Sequence, residues 1–172
     1  MASLAYVMAE GRGAGDLLLA DLADRLGARG YRLAGVVQHN IETTTAARCD
    51  MDLSVLGTSG RVRISQRLGA LALGCRLDPD GLERAVGQVE ARLAEGVDLL
   101  ILNKFGKTEA EGRGFRDTIG RALAAEVPVI LAVKPDNLAA FEEFHGGFAE
   151  RLQPRPEALE AWVQACLAPP RS

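Results

Sequence analysis

Leu4-Ala5-Tyr6-Val7-Met8-Ala9-Glu10-Gly11-Arg12-Gly13-Ala14-Gly15-Asp16-Leu17 is the stretch whose reading decides the fold. A short apolar run, Leu4 to Met8, reads as a buried strand. It ends in a glycine-rich loop, Glu10 to Gly15. A helix follows, with Leu18, Leu22 and Leu26 on one face and Asp21, Asp24 and Arg25 on the other. Gly27 and Gly30 stop that helix. Leu33-Ala34-Gly35-Val36-Val37-Gln38 is a second apolar strand. Strand, helix, strand in this order predicts a parallel sheet covered on both faces.

Working outward, the alternation continues. The segment from His39 to Arg48 is polar and threonine-rich. Met51 to Val55 and Arg61 to Ser65 flank Gly57-Thr58-Ser59-Gly60, which predicts an antiparallel hairpin inserted at about residues 51–65. Gly69 to Asp78 reads as a loop. Asp78-Pro79 opens a helix, with Asp78 as N-cap and Leu82, Val86, Val89 and Leu93 as its apolar face. Asp98-Leu99-Leu100-Ile101-Leu102-Asn103 is the strongest strand signal in the chain. A charged loop follows it to Gly114, then a helix with Phe115, Ile119 and Leu123 inward. Pro128 to Val133 is a further buried strand. A short helix at Leu138 to Phe144, a short strand near Phe148 and a last helix with Leu159, Trp162, Val163, Cys166 and Leu167 on one stripe complete the pattern. The expected fold is a single α/β domain over residues 1–172, mainly parallel, with helices on both faces.

Composition limits the function classes. The 172 residues carry 20 basic and 23 acidic side chains, a net charge of −3, which argues against nucleic-acid binding through bulk positive charge. No apolar run approaches the ~18 residues of a membrane span, so no membrane insertion is expected. Three cysteines without a C-x-x-C pair argue against a secreted disulfide scaffold, leaving the cytoplasm as the expected location. Glycine is the outlier, at 19 residues, and it gathers in loops after apolar runs, where a backbone can approach a ligand.

Two such loops, Glu10 to Asp16 and Asn103 to Gly114, fall where parallel sheets bind ligands, beyond the carboxyl ends of the strands. The first has the placement of a phosphate loop, in which backbone N–H groups and a helix dipole face an anion. Laid over G-x-x-x-x-G-K-[ST] with Gly15 as the last glycine, the motif begins at Glu10. Asp16 then takes the lysine position and Leu17 the hydroxyl position.

Other segments carry a resemblance. Asp52-Leu53, Gly60-x-x-x-Ile64, Gly106-Lys107-x-Glu109 and Phe115-Arg116 look like the small nucleoside-triphosphatases of the cancer-related type. Cys49-Asp50-Met51-Asp52-Leu53, Ile64-Ser65-Gln66, Gly74-Cys75-Arg76-Leu77-Asp78 and the long run from Asn103 to Gly114 resemble the bacterial family called domain of unknown function 2478. The resemblance implies a P-loop-like α/β fold, and it carries a loose association with molybdenum transport. Carried over by position, the clamping lysine is Asp16, the magnesium-binding hydroxyl is Leu17, the strand-end aspartate is Asn103 and its acidic neighbour is Lys104. The resemblance thus implies a degenerate phosphate loop. Two unit charges ~4 Å apart interact by about 4 kcal/mol at an effective dielectric near 20, so a carboxylate for an ammonium reverses a large term. Loss of the magnesium ligands removes the charge neutralisation that phosphoryl transfer requires.

The resemblance also implies that the strand bearing Lys104 and Lys107 lies beside the first strand, close to Arg12, Gly13, Ala14, Gly15 and Asp16. The expected function is therefore a non-hydrolysing binder of a small anion, either a nucleotide phosphate or an oxyanion such as molybdate. Asn103, Lys104, Lys107, Glu109 and Arg113 form its second wall, and His39 follows the second strand on the same edge. One alternative is that Lys104 and Asp16 pair with each other and fill a dead site. Another is an active nucleoside-triphosphatase with Lys104 or Lys107 as substitute clamp. A third is an interaction module for a transporter or cofactor-assembly protein, marked by an exposed apolar patch. Cys49 and Cys75, each near arginine and aspartate, are metal candidates, since thiolates suit soft metals; buried packing is the alternative. Asp50 and Asp52 share one strand face, and Ser65-Gln66 are assigned to the same cleft. Glu109 and Glu111 with Lys107 and Arg113 read from composition as solvated charge, and His145 as a helix-end cation.

Overall fold

A computed structural model of the chain describes residues 3–8, 13–42, 49–58, 61–63, 65–66, 76–77 and 79–167. In chain order the elements are β1 (Leu4–Val7), α1 (Ala14–Ala28), β2 (Leu33–Glu42), β3 (Cys49–Val55), β4 (Arg61–Arg63), β5 (Ser65–Gln66), β6 (Arg76–Leu77) and α2 (Pro79–Ala94). Then come β7 (Leu99–Phe105), α3 (Lys107–Ala110), α4 (Arg116–Ala124), β8 (Val129–Val133), α5 (Pro135–His145), β9 (Glu150–Leu152) and α6 (Pro156–Cys166). One seven-stranded sheet runs β4-β3-β2-β7-β8-β1-β9, and β5 and β6 form a small second sheet. Strands β2, β7, β8, β1 and β9 are parallel; β3 and β4 are antiparallel additions.

Alternation along the parallel strands divides the interior in two. Leu4, Tyr6, Leu100, Leu102, Val129 and Leu131 point to the face covered by α2, α4 and α5. Ala5, Val7, Leu99, Ile101 and Ile130 point to the face covered by α1 and α6. Both faces are dry, so these strands read as unbroken apolar runs. On α1 the buried residues are Leu19, Leu22, Ala23 and Leu26, with Leu18 only half-buried. The inward stripe is thus centred one residue later than the i, i+4 spacing from Leu18 suggests.

The expected hairpin is present but better integrated than an insertion. Strand β2 does not stop at Gln38. It continues through the polar segment and pairs antiparallel with β3, from Val36 with Val55 to Glu42 with Cys49. His39 therefore sits within a strand, opposite Asp52, and not just beyond one. Earlier in the same strand, Leu33, Ala34 and Gly35 pair in parallel with Leu99, Leu100 and Ile101. Gly35 is the pivot between the two pairings. Its φ is 117°, and a Cβ there would lie 1.8 Å from the Ile101 carbonyl oxygen. No side chain fits that approach, and the conformation is one L-residues avoid.

At the other end of the chain, His145 closes α5. Its Nδ1 accepts hydrogen bonds from the Gly147 and Ala149 N–H groups, at 3.0 and 3.2 Å. The ring works as an acceptor that turns the chain into β9, which replaces the helix-end-cation reading. Cys166 is half-buried against the α1/α6 layer, as its helical stripe predicts. Among the described residues, no helix is long and apolar enough to cross a membrane.

Gly35→Ala is expected to cost about 3–5 kcal/mol, combining backbone strain with overpacking. Urea denaturation would check this, and a variant as stable as the wild type would show that β2 does not need its close approach to β7.

Candidate functional site

The carboxyl edge of the parallel strands is where the sequence-predicted loops arrive. At the start of α1, Gly13 adopts the left-handed conformation (φ 78°, ψ 0°) as N-cap. The first intrahelical bond is Leu17 N–H to Gly13 O at 3.1 Å. The Ala14 and Gly15 N–H groups precede it and have no intrahelical acceptor, as at any helix start. Asp16 lies in this first turn. Leu17 is 74% exposed. Arg12 falls outside the described residues.

The end of β7 forms a second wall. Leu102 pairs with Leu131 and Phe105 with Val133, so Asn103 and Lys104 together face Ala132 alone. This is a β-bulge, a device that re-aims side chains at strand ends. The strand therefore runs past Asn103, its expected last residue, to Phe105. Asn103 is buried, and its Nδ2 donates to Gln38 Oε1 at 2.8 Å. The pair spans the gap that opens where β2 leaves β7 after Gly35. Lys104 is half-buried, with its stem near Gly106 and its charge near Glu109.

Glu109 is buried, not solvated as composition suggested. Its Oε1 accepts from Gly106 N–H and its Oε2 from Phe115 N–H, each at 3.0 Å. One carboxylate thereby holds both ends of the loop, caps α3 from its third position and positions the start of α4. Gly114 completes the arrangement: with φ 64°, a Cβ there would meet Glu109 Oε2 at 1.9 Å. Burial pushes the Glu109 carboxyl up from its ordinary 4.5, while the Gly106 and Phe115 hydrogen bonds and Lys104 oppose that rise. Lys107 and Arg113 stand outside this knot, and both approach Glu111, Lys107 at 4.0 Å.

The structure corrects one placement. Strand β7 is not beside β1; β8 lies between them. With neighbouring strands ~4.8 Å apart, Lys104 and the glycine turn are separated by about 10 Å of sheet. Among the described residues, no ion pair joins Lys104 to Asp16. Strand order also brings in a residue that sequence reasoning passed over: Lys134, directly after β8. Its only sequence signal is its place between an apolar strand and Pro135. His39 and Cys49 lie on the antiparallel strands β2 and β3, paired with Asp52 and Glu42 in register. Cys75 lies outside the described residues. Among the described residues, no group of three His, Cys, Asp or Glu side chains could hold a metal ion. Among the described residues, the large exposed apolar side chains are Leu17 at the start of α1 and Phe148 just before β9, which form no common patch.

Glu109→Ala leaves two buried N–H groups without acceptors and is expected to cost about 2–4 kcal/mol in urea denaturation. The sign of its pH dependence follows from a raised folded-state pKa. The Glu109 contribution is fully present below about pH 4.5 and falls as pH rises through the folded-state value. The stability gap between wild type and Glu109→Ala should therefore narrow from acid toward neutral pH. A gap that widens would mean the hydrogen bonds outweigh burial.

Comparison with known proteins agrees with this architecture. The family model described as protein of unknown function (DUF2478) matches residues 4–162. The molybdenum import ATP-binding protein ModC 2 of Bradyrhizobium diazoefficiens is 40% identical over 147 residues. That match covers 86% of this chain and 16% of the relative, so the chain spans about a sixth of that protein's length. The crystal structure of THEP1 from the hyperthermophile Aquifex aeolicus superposes over 100% of both chains with a TM-score of 0.64 at 14% identity. The fold is therefore of the P-loop NTPase type, and the chain belongs to the DUF2478 family.

Proposed function

We propose that this protein binds a small anion, a nucleotide phosphate or an oxyanion such as molybdate, at the head of α1 without hydrolysing triphosphates. The observation that carries the second half is the amide at the end of β7. Asn103 stands where an NTPase of this fold needs a carboxylate for its magnesium ion, and its side chain is engaged by Gln38. With Leu17 in the hydroxyl position, neither ordinary protein ligand for the metal is available. The first half is supported by the Gly13 turn and the Ala14 and Gly15 N–H groups beyond β1, which suit an anion whether or not a metal accompanies it. Asp16 opposes that anion and sets a low affinity. The molybdenum-import relative makes molybdate the first oxyanion to try.

Isothermal titration with phosphate, molybdate, tungstate, ATP and GTP is expected to give heat without magnesium, while a phosphate-release assay shows no turnover with it. Asp16→Lys should tighten anion binding by at least about tenfold, since it removes a repulsive charge and adds an attractive one. Steady release of phosphate from ATP that stops in Lys107→Ala would replace this reading with an enzyme using a substitute clamp.

A further inference from the structure

We infer that His145 is a proton-operated latch: its neutral ring closes the turn between α5 and β9, and protonation at Nδ1 opens that turn. The latch is independent of the anion site. Nδ1 accepts two backbone N–H groups, from Gly147 and Ala149, so it carries no proton, and the neutral ring keeps its proton on Nε2. Nε2 is buried and has no hydrogen-bond partner among the described residues. A second proton therefore goes to Nδ1. There it would face two N–H donors, and both bonds would be lost at once.

Little else holds this turn. Gly146 and Gly147 are both left-handed, at φ 60° and 88°, and a Cβ on either would meet nothing within 4 Å. The other two N–H groups of the turn stay within the backbone, Gly146 to Glu142 O at 2.9 Å and Phe148 to His145 O at 3.1 Å. Strand β9 behind the turn has three residues and pairs with β1 at the edge of the sheet. Opening the turn loosens β9 from β1, the strand that leads into the glycine turn.

The ring's own contacts are aromatic: Phe141 at 4.8 Å and Tyr6 of β1 at 6.3 Å between centroids. Of the charged groups on the elements around it, exposed Glu142 lies one turn back on α5, and exposed Arg151 of β9 is in register with Tyr6. On α3, Lys107 pairs with Glu111 and Glu109 holds Gly106 and Phe115, while Arg116 of α4 lies over Phe144. Lys134, after β8, stands at the far end of α5. None of them forms an ion pair with His145 among the described residues. The folded turn thus holds the neutral ring, whereas a free imidazole takes up protons below about pH 6.5. Stability from the latch is fully present above that value and is lost as pH falls below it.

The test is hydrogen exchange of the full chain, followed amide by amide in NMR spectra. Between about pH 7.5 and about pH 5.5, protection of the Gly147 and Ala149 amides, corrected for intrinsic exchange, should fall about tenfold. The Ile119 amide, bonded to Phe115 O in α4, should keep its protection. His145→Asn, whose amide oxygen accepts without titrating, should hold the turn at both pH values, and His145→Ala should lose it at both. The chain has two histidines, so nitrogen spectra of the imidazoles resolve His145, which should show a bare Nδ1 and a protonated Nε2 at about pH 7.5. Unchanged protection at the lower pH, or a proton on Nδ1 at the higher, would overturn the latch without any variant. An equal fall in His145→Asn, or one shared by Ile119, would assign the response to the whole molecule and overturn it too.

Discussion

Strand β2 must satisfy two partners of opposite direction, and much of the molecule follows from that demand. For three residues it is parallel to β7, and for seven it is antiparallel to β3. Its pairing with β7 ends at Gly35, where the Ile101 carbonyl comes too close for any side chain. Beyond that point a gap opens between the upper ends of β2 and β7. A gap inside a sheet exposes backbone and side-chain polar groups to a dry interior, and such groups need partners. The Gln38–Asn103 amide pair supplies them. Amides suit this place because each carries both donor and acceptor and no charge. A carboxylate there would need a counter-ion. The amide at the end of β7 thus helps hold the sheet together there.

The bulge at Asn103 and Lys104 is the companion of that pairing. Without it, alternation would send Phe105 to the face of α1 and Lys104 into the aromatic cluster under α5. With it, Phe105 packs against Phe141 and Phe144 at ring separations of 5.1 and 5.4 Å, and Lys104 remains half-exposed. Glu109 then anchors the loop to that fixed strand end. A loop tied by one buried carboxylate at both ends has little freedom, and its residues Lys107, Glu111 and Arg113 are held out toward solvent.

Much of this was legible in the residues. The runs Leu99 to Leu102 and Val129 to Val133 are apolar on both sides and unbroken, which only a buried parallel strand permits, and the 3.6-residue stripes marked the helices. The family motifs in the Asn103–Gly114 run pointed to the right relatives. Strand order was not legible, because nothing in a strand names its neighbour; β8 between β1 and β7 displaced Lys104 and Lys107 and hid Lys134. Burial of Glu109 was equally hidden. Its sequence surroundings, Lys107, Glu111 and Arg113, are those of a solvated loop, and only the convergence of the Gly106 and Phe115 N–H groups marks it as interior. The length of β2 escaped because His39, Asn40 and Glu42 are polar and Ile41 stands alone among them, which gives no apolar run.

Charge at the head of α1 completes the argument. A carboxylate in the first turn of a helix is favoured by the helix dipole, so Asp16 stabilises α1 in the absence of any ligand. The same dipole would favour an anion entering there, and the Asp16 carboxylate would repel it. A phosphate loop with lysine at this position has no such competition, because its cation is added to the dipole. Keeping glycine at Gly13 and Gly15 while placing an acid at 16 is a costly way to build a mere helix start, since Gly15 lies inside the first turn, where glycine weakens a helix.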